Sequence, residues 1–546
     1  MKRGLLLVAI ALLGIGSARA EPHEMVATAH PLASEAGLTV LREGGNAMDG
    51  AVAVQMVLGV VEPQSSGLGG GGFLLYYDAA SRAISVYDGR ETAPAGATPA
   101  MFLGADGKPI PFREAVASGI SVGVPGAVAL LELAHKEHGK RPWRELFAPA
   151  VTQAREGYAI SPRLAFWLAT IKSFANDPAA RGIYYNPDGS PKRVGERVLN
   201  PALADTLQLV ADKGANALAE GTLAEEMVAK VRGHVRPGTL SLTDLANYKP
   251  LKREALCGPY RVWLVCGMPP PSSGGVAILQ ILALLEPFEL AQDQPNDLRS
   301  LHLIAEASRL AFADRARYLA DPAFVAVPVA GLLAPGYIAE RRKLISPDHS
   351  TGGQGPAEPG YVERGTSHVT IFDRDGNAVS FTTTIEAPFG AEMMVGGFIL
   401  NNELTDFSAE PERGGHPVAN RVEPGKRPRS SMSPTLVLDR DRRLVLAVGS
   451  AGGQRIIGDT LHALIGMLDW NLTPQAAIDL PRVANMNGPT ELEDKGTLPA
   501  RADALRALGH QVQVRRHEGG LTAIRRDGDG WQGGADPRRD GAAKGD

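Results

Sequence analysis

Gly365-Thr366-Ser367-His368-Val369-Thr370-Ile371-Phe372 reads as a strand, Asp373-Arg374-Asp375-Gly376 as a turn, and Asn377-Ala378-Val379-Ser380-Phe381-Thr382-Thr383-Thr384-Ile385 as the returning strand. Both flanks are rich in β-branched residues, and Asp-Gly between such flanks is a strong hairpin signal. Folding the hairpin about residue 375 sets Thr366 opposite Thr384, with the register open to a shift of one residue by loop type. Upstream lies SPDHSTGGQGPAEPGYVERG (346–365), rich in Gly and Pro and nearly free of aliphatic side chains. Such a segment is expected to be mobile and exposed.

A threonine heading a strand behind a loose segment has a specific chemical use. Its hydroxyl becomes a nucleophile when a base sits beside it, and the commonest base for Thr is its own α-amine, available only if Thr is the first residue. That amine has a reference pKa of about 8, so part of it is neutral at working pH. A cut between Gly365 and Thr366 would expose it. The plain alternative is a strand threonine behind a domain linker, and on spacing alone that alternative is the commoner.

Outward from the hairpin, Leu444 to Gly449 reads as a strand, followed by Ser450-Ala451-Gly452-Gly453 and a helix from about Ile456. Bare N–H groups at Gly452 and Gly453 can stabilise an oxyanion, or simply make a tight turn. Glu386 follows Thr384 by two and shares its strand face. Asn402, Glu403 and Asp406 end a strand read in FILNNELTDF (398–407), Arg90 and Glu91 follow the strand Ile84 to Tyr87, and Ser430 and Ser431 follow the basic turn Gly425 to Arg429. Arg with Ser donors suits a carboxylate, and Glu with Asp suits an ammonium. Together they could hold the α-amino acid end of a substrate; singly each reads as a surface charge or cap.

A competing motif is Gly119-Ile120-Ser121-Val122-Gly123, a G-x-S-x-G pattern. That nucleophile elbow requires a strand before it and a helix directly after. The lead-in from Phe112 to Ser118 is not clearly a strand, and Val124-Pro125-Gly126 delays the helix, so Ser121 reads as a turn residue. The glycine run 69–72 lacks the Gly-Lys-Ser/Thr of a phosphate loop, and no His-Glu-x-x-His is present. No metal or other cofactor is called for.

The remaining chain alternates helices and strands. Ser34 to Leu41, Asp49 to Val61, Val124 to His138 and Leu301 to Leu319 read as helices, and Phe73 to Tyr77 as a strand. With 44% hydrophobic and 21% charged residues, the composition is that of a soluble globular protein. Residues 1–20 read as an export signal: Lys2 and Arg3, an apolar run from Gly4 to Gly16 too short to span a bilayer, then Ala18-Arg19-Ala20. Its removal takes away Lys2, Arg3 and Arg19, which carries the formal charge from −4 to −7. An acidic chain gives no electrostatic footprint for nucleic acid, and no later run approaches membrane-spanning length. Cys257 and Cys266 flank Gly258-Pro259. A hairpin turning there does not place them opposite each other, so they are expected to be unbridged, although an exported protein can keep a disulfide. No second Cys/His cluster supports a zinc site.

At these residues the chain resembles the γ-glutamyltransferases, also called glutathione hydrolases. The matching stretches run in order: GGNAMDGAVA (44–53), VEPQSSGLGGGGF (61–73), GRETAPAGA (89–97), SVGVPGAVA (121–129), MPPPSSGG (268–275), FADRARYLADP (312–322), GTSHVTIFDRDGNAVS (365–380), NNELTDFSAEP (401–411), KRPRSSMSPT (426–435), GSAGGQRIIG (449–458) and ADPRRDGAA (535–543). The resemblance implies an α+β, four-layer αββα sandwich, the N-terminal-nucleophile hydrolase fold. It implies one self-cleaved precursor giving a large chain, 21–365, and a small catalytic chain, 366–546, that stay together as a heterodimer. It implies Thr366 as nucleophile, Thr384 as its supporting hydroxyl and Gly452 and Gly453 as the oxyanion pair. Arg90, Ser430 and Ser431 match positions around a substrate α-carboxylate, and Glu386, Glu403 and Asp406 positions around its α-amino group.

The activity so implied is hydrolysis or transfer of γ-glutamyl groups from glutathione and related small molecules to water, an amino acid or a peptide, in the periplasm or the medium. Glu386 and Glu403 stand where Asn and Gln are familiar in the family. The segment from Ser408 to Arg429 has none of the tyrosine that lidded members place there, and Phe389 to Asn401 is also short, so an open cleft is expected. Relatives with this fold cleave γ-linked polyglutamate or the acyl side chains of cephalosporins, which leaves a related acylase as an alternative. A serine hydrolase using Ser121 and a non-catalytic exported binding protein are the others.

Overall fold

A computed structural model of the chain describes residues 22–353 and 365–546. The expected export signal, 1–20, and residues 354–364 of the expected linker lie outside the described residues. Before that break, the strands of two large sheets are β1 (Met25–Thr28), β2 (Gly71–Asp78), β3 (Ala83–Asp88), β4 (Leu251–Arg253), β5 (Leu256–Tyr260) and β6 (Trp263–Gly267). After it come β7 (Gly365–Phe372), β8 (Ala378–Glu386), β9 (Thr435–Leu438), β10 (Leu444–Gly449), β11 (Thr522–Asp527), β12 (Gly530–Ala535) and β13 (Ala542–Gly545). The helices that cover them are α1 (Pro31–Arg42), α2 (Ala47–Val61), α3 (Ala127–His138), α4 (Gly274–Leu285), α5 (Leu298–Tyr318) and α6 (Arg455–Leu468).

The first sheet has seven strands in the order β13-β1-β7-β8-β2-β3-β4, and the second has six in the order β12-β11-β10-β9-β6-β5. All neighbouring pairs in both are antiparallel. Alternation along the strands builds the layers. In β2, Leu74 and Tyr76 pack outward on α2, while Phe73, Leu75 and Tyr77 point at the second sheet. In β9 and β10, Leu436 and Ala447 meet the first sheet, and Val437, Leu446 and Val448 pack on α4, α5 and α6. The result is the expected αββα sandwich. Each sheet holds strands from both sides of residues 354–364: in the first, β7 lies between β1 and β8 and β8 bonds β2, and in the second β9 bonds β6. Backbone hydrogen bonds along whole strands therefore join the two segments, and a cut near residue 365 would not separate them.

The hairpin β7–β8 turns where the sequence indicates. Gly376 has φ +86°, and the Asp373 carboxylate accepts the amides of Asp375 at 3.0 Å and Asn377 at 2.9 Å. Its other oxygen accepts the Ala47 amide at 3.0 Å, which ties the turn to the first turn of α2. Pairing runs from Phe372↔Ala378 to Ser367↔Thr383, then shifts so that Gly365 faces Glu386. Thr366 and Thr384 are thus neighbours inside a bulge, which locally re-aims side chains.

Three expectations are corrected. The strand read over 398–407 is limited to Phe398–Ile399, and Glu403–Asp406 form a 3₁₀ turn. The Asn401 side chain bonds the Gly69 and Gly123 backbone and bends the chain there. The third helix starts at Ala127, not Val124, because Pro125-Gly126 precede its first turn. The cysteines are bridged: the turn of the β5–β6 hairpin lies at Arg261, with φ +54°, not at Gly258-Pro259, so Cys257 and Cys266 are direct cross-strand partners. Closing a loop of this length removes unfolded-state entropy worth about 2–3 kcal/mol. Cys257→Ser/Cys266→Ser protein is expected to melt several degrees lower, and the wild type to show the same loss in reductant. Equal melting points with and without reductant would contradict this.

Candidate active site

The loop–strand junctions of both sheets converge on one cleft. It is lined by Arg90, Thr366, Thr384, Glu386, Glu403, Asp406, Ser430, Ser431, Met432, Gly453 and Ile456, with about 270 Å³ of space including its open side. Nine of the ten site residues picked out from the sequence therefore meet here. The tenth, Gly452, lies in the turn directly behind the lining, with φ +129° against +60° for Gly453. Among the described residues no cluster of His, Cys, Asp and Glu could hold a metal ion.

Thr366 is 3% exposed, and its Oγ1 lies 2.7 Å from the Gly365 carbonyl oxygen. Thr384 Oγ1 lies 2.6 Å from that same oxygen and 3.3 Å from Thr366 Oγ1. The Glu386 amide donates to Thr384 Oγ1 at 2.8 Å, so the Thr384 proton is directed at the Gly365 carbonyl. Gly365 fits tightly: a Cβ there would come within 2.5 Å of the Gln64 carbonyl oxygen.

Arg90 is buried in the cleft wall. Its Nη1 donates to Glu403, its Nη2 to Asp406 at 2.5 Å and its Nε to the Pro428 carbonyl at 3.1 Å. The guanidinium fork thus fixes two carboxylates at once. Glu91 is buried beside it, 3.9 Å from Nη1. Burial and the nearby Glu403 charge push the Glu91 carboxyl well above its usual range, against the pull of Arg90. Glu386 has φ +79°, so it does not follow from regular strand alternation; the bulge and a hydrogen bond from the Asn402 amide turn it into the cleft.

The serine side is built from backbone and one buried arginine. The Met432 amide donates to Ser430 Oγ at 3.1 Å, and Arg315 Nη2 donates to Ser431 Oγ at 2.9 Å. Arg315, on α5, also bonds Ser273 Oγ at 2.9 Å. Each serine oxygen accepts from within, which leaves its proton to donate outward. Arg539 Nη1 holds the Thr366 carbonyl at 2.5 Å. Element spacing does not single out Arg315 and Arg539, although both fall inside family-like stretches, 312–322 and 535–543.

Ser121 sits in a 3₁₀ turn, Gly119–Ser121, fully buried, its hydroxyl bonded to the carbonyls of Val116 at 2.9 Å and Ser118 at 2.8 Å. It heads no helix and does not line the cleft. The G-x-S-x-G pattern is a turn.

A two-sheet αββα sandwich with a threonine at the head of a central strand, beside a glycine turn, has the architecture of the N-terminal-nucleophile hydrolases. The Gamma-glutamyltranspeptidase family model matches residues 33–546, and the chain belongs to that family. It is 40% identical over 543 residues to a glutathione hydrolase proenzyme of Bacillus subtilis (strain 168), covering 95% of this chain and 91% of that one. It is 37% identical to the acylase ACY 1 proenzyme of Pseudomonas sp. (strain SE83), over 94% of this chain and 91% of the relative. The solved structure of a cephalosporin acylase from Bacillus halodurans superposes with a TM-score of 0.85 at 31% identity, covering 99% of both chains.

Proposed function

We propose that the chain is a self-processing γ-glutamyl hydrolase/transferase with Thr366 as its nucleophile. The observation that carries this is the convergence of the Thr366 and Thr384 hydroxyls on the Gly365 carbonyl oxygen. In the first cut, Thr366 Oγ1 attacks the Gly365 carbonyl carbon. Thr384 donates to the developing oxyanion, the Gly365–Thr366 C–N bond breaks, and the nitrogen takes up the hydroxyl proton. Water then hydrolyses the resulting ester, which leaves a Gly365 carboxylate and a free Thr366 amine. The pieces 21–365 and 366–546 remain one body, because their strands alternate in the sheets.

In turnover the free amine is the base. Thr366 Oγ1 attacks the γ-carbonyl of the donor, the Gly452–Gly453 turn stabilises the oxyanion, and the amide nitrogen leaves with the proton. Water, an amino acid or a short peptide then takes the γ-glutamyl group from Thr366. The serine hydroxyls suit the donor's α-carboxylate, and Glu386, Glu403 and Asp406 its α-ammonium. We place the enzyme in the periplasm or the medium, a reading supported by the Cys257–Cys266 bridge, which belongs to oxidising compartments.

The B. halodurans likeness favours one second reading, an acylase acting on cephalosporin side chains, for which glutaryl-4-nitroanilide, the same acyl group without the ammonium, is the probe. Three carboxylates lining the cleft speak for the γ-glutamyl group. Mass spectrometry of the purified protein should show two chains meeting at 365/366, and the same sample should release nitroaniline faster from γ-glutamyl-4-nitroanilide than from glutaryl-4-nitroanilide. The reverse order supports the second reading, and silence toward both by fully processed protein overturns both.

A further inference from the structure

Behind the glycine turn lies a buried ion network with no part in the chemistry above. Asp459, on α6, is fully buried; His517 Nε2 lies 2.9 Å from its Oδ1, and Arg482 Nη1 3.2 Å from its Oδ2. The single hydroxyl proton of Ser450, the first residue of the turn, faces both Asp459 Oδ2 at 3.3 Å and the Ala451 carbonyl at 3.2 Å. Arg482 continues to Asp536 at 2.6 Å. Burial alone would raise the Asp459 carboxyl, but His517 and Arg482 hold it below its ordinary range, so it stays charged.

This network clamps one loop, residues 517–520, against the turn. A Cβ on Gly519 would come within 2.5 Å of both Arg482 Nη1 and Asp459 Oδ2, so the loop backbone lies flat on the ion pair. The next residue, Gly520, donates its amide to the Ala451 carbonyl at 3.2 Å. From the other side Arg539 bonds both the Thr366 carbonyl and, at 3.4 Å, the Glu518 carbonyl. In a trans peptide the C=O and the following N–H point in opposite directions. Pinning the Ala451 carbonyl to the 517–520 loop therefore turns the Gly452 N–H away from that loop.

We infer that Asp459, with His517 and Arg482, is a positioning group that sets the Ala451–Gly452 peptide plane and thereby aims the oxyanion donor. The inference rests on the γ-glutamyl reading above for the turn's role. It separates the two reactions of the chain. In the first cut the Gly365 oxygen already has Thr384 as donor, so that step does not depend on the Ala451–Gly452 plane. Turnover of an external amide does.

The test is to express Asp459→Ala, Asp459→Asn and His517→Ala as full chains. The conversion to two chains is timed, and steady-state kinetics are measured with γ-glutamyl-4-nitroanilide. Asp459→Ala is expected to mature at the wild-type rate and keep KM within about twofold. Its kcat should fall by up to about 10²- to 10³-fold, the range for losing an oxyanion donor. Asp459→Asn, which can still accept hydrogen bonds from Ser450 and His517, should recover much of kcat. His517→Ala leaves Arg482 in place and gives an intermediate loss, which also serves if Asp459→Ala does not accumulate. A kcat within about twofold of wild type in His517→Ala and whichever Asp459 variants fold overturns the inference. So does a kcat loss matched by an equal slowing of the first cut, since that marks a general defect in folding. An inactive wild type that matures normally counts instead against the γ-glutamyl reading.

Discussion

Thr366→Ala protein is expected to accumulate as a single uncut chain and to lose turnover of γ-glutamyl-4-nitroanilide by about 10⁴-fold or more, the scale on which removing a nucleophile acts. Two losses coincide in this variant. Without Oγ1 there is no attack on the Gly365 carbonyl, so the α-amine that would serve as base stays locked in a peptide bond. Without Oγ1 there is also no atom to carry the acyl group. The two are separable by expressing 21–365 together with a 366–546 segment that carries Thr366→Ala at its start: the amine is then free, and activity should still be absent. Thr366→Ser keeps an oxygen 2.7 Å from the carbonyl and should both cleave and turn over, more slowly because the γ-methyl no longer fixes the rotamer. Ser121→Ala is the matched control. It removes one buried hydroxyl whose single proton is shared between two carbonyls, worth about 1 kcal/mol of stability, and should leave maturation and kcat within about twofold of wild type. An intact Thr366→Ala chain with wild-type activity would remove the proposed mechanism altogether.

Why Thr366 is legible in the sequence, and its supporting cast is not, has a physical basis. The hairpin is a local object: a two-residue period, β-branched flanks and an Asp-Gly turn narrow its register to within one residue, and the structure has Ser367↔Thr383. The Gly452–Gly453 turn is equally local, a strand followed by a helix with two residues of positive φ between. The disulfide escapes a sequence reading because its hairpin turns at Arg261, an arginine in the left-handed region, where nothing in the sequence announces a turn. Glu386 reaches the cleft through a bulge, so strand alternation names the right residue without the geometry that places it. The clamp of Asp459, Arg482, His517 and Gly520 is assembled from α6, a loop before a short strand and the lead-in to β11. Its bonds join distant stretches of chain, such as Ala451 to Gly520, and each member read singly is an ordinary charge or glycine. Charge networks of this kind are set by tertiary packing, which periodicity does not encode.

Arg90→Lys is the second large effect, and it should fall on substrate binding and leave self-cleavage intact. The guanidinium reaches Glu403 with Nη1 and Asp406 with Nη2 while Nε holds the Pro428 carbonyl, three directions that a planar fork can serve together. A lysine ammonium is a single compact charge at the end of a flexible stem and cannot span both carboxylates. One of them then loses its partner or drifts, and the side of the cleft formed by Glu403 and Asp406 loses its shape. A drop in kcat/KM for γ-glutamyl-4-nitroanilide of about 100-fold corresponds to about 2.7 kcal/mol, the scale of one broken charge-assisted bond. Most of it should appear in KM. Arg90→Met is harsher: Glu403, Asp406 and the buried Glu91 are left with no counter-charge from this position, and breaking a buried pair costs about 3–5 kcal/mol. That variant should melt far lower and yield little folded protein. In Arg90→Lys the Thr366, Thr384 and Gly365 contacts are untouched, so two chains should still appear on schedule. Normal maturation with kcat/KM within about threefold of wild type would show that Arg90 neither shapes the acyl pocket nor needs its fork. Loss of maturation together with activity would show instead that the arginine acts through the fold as a whole.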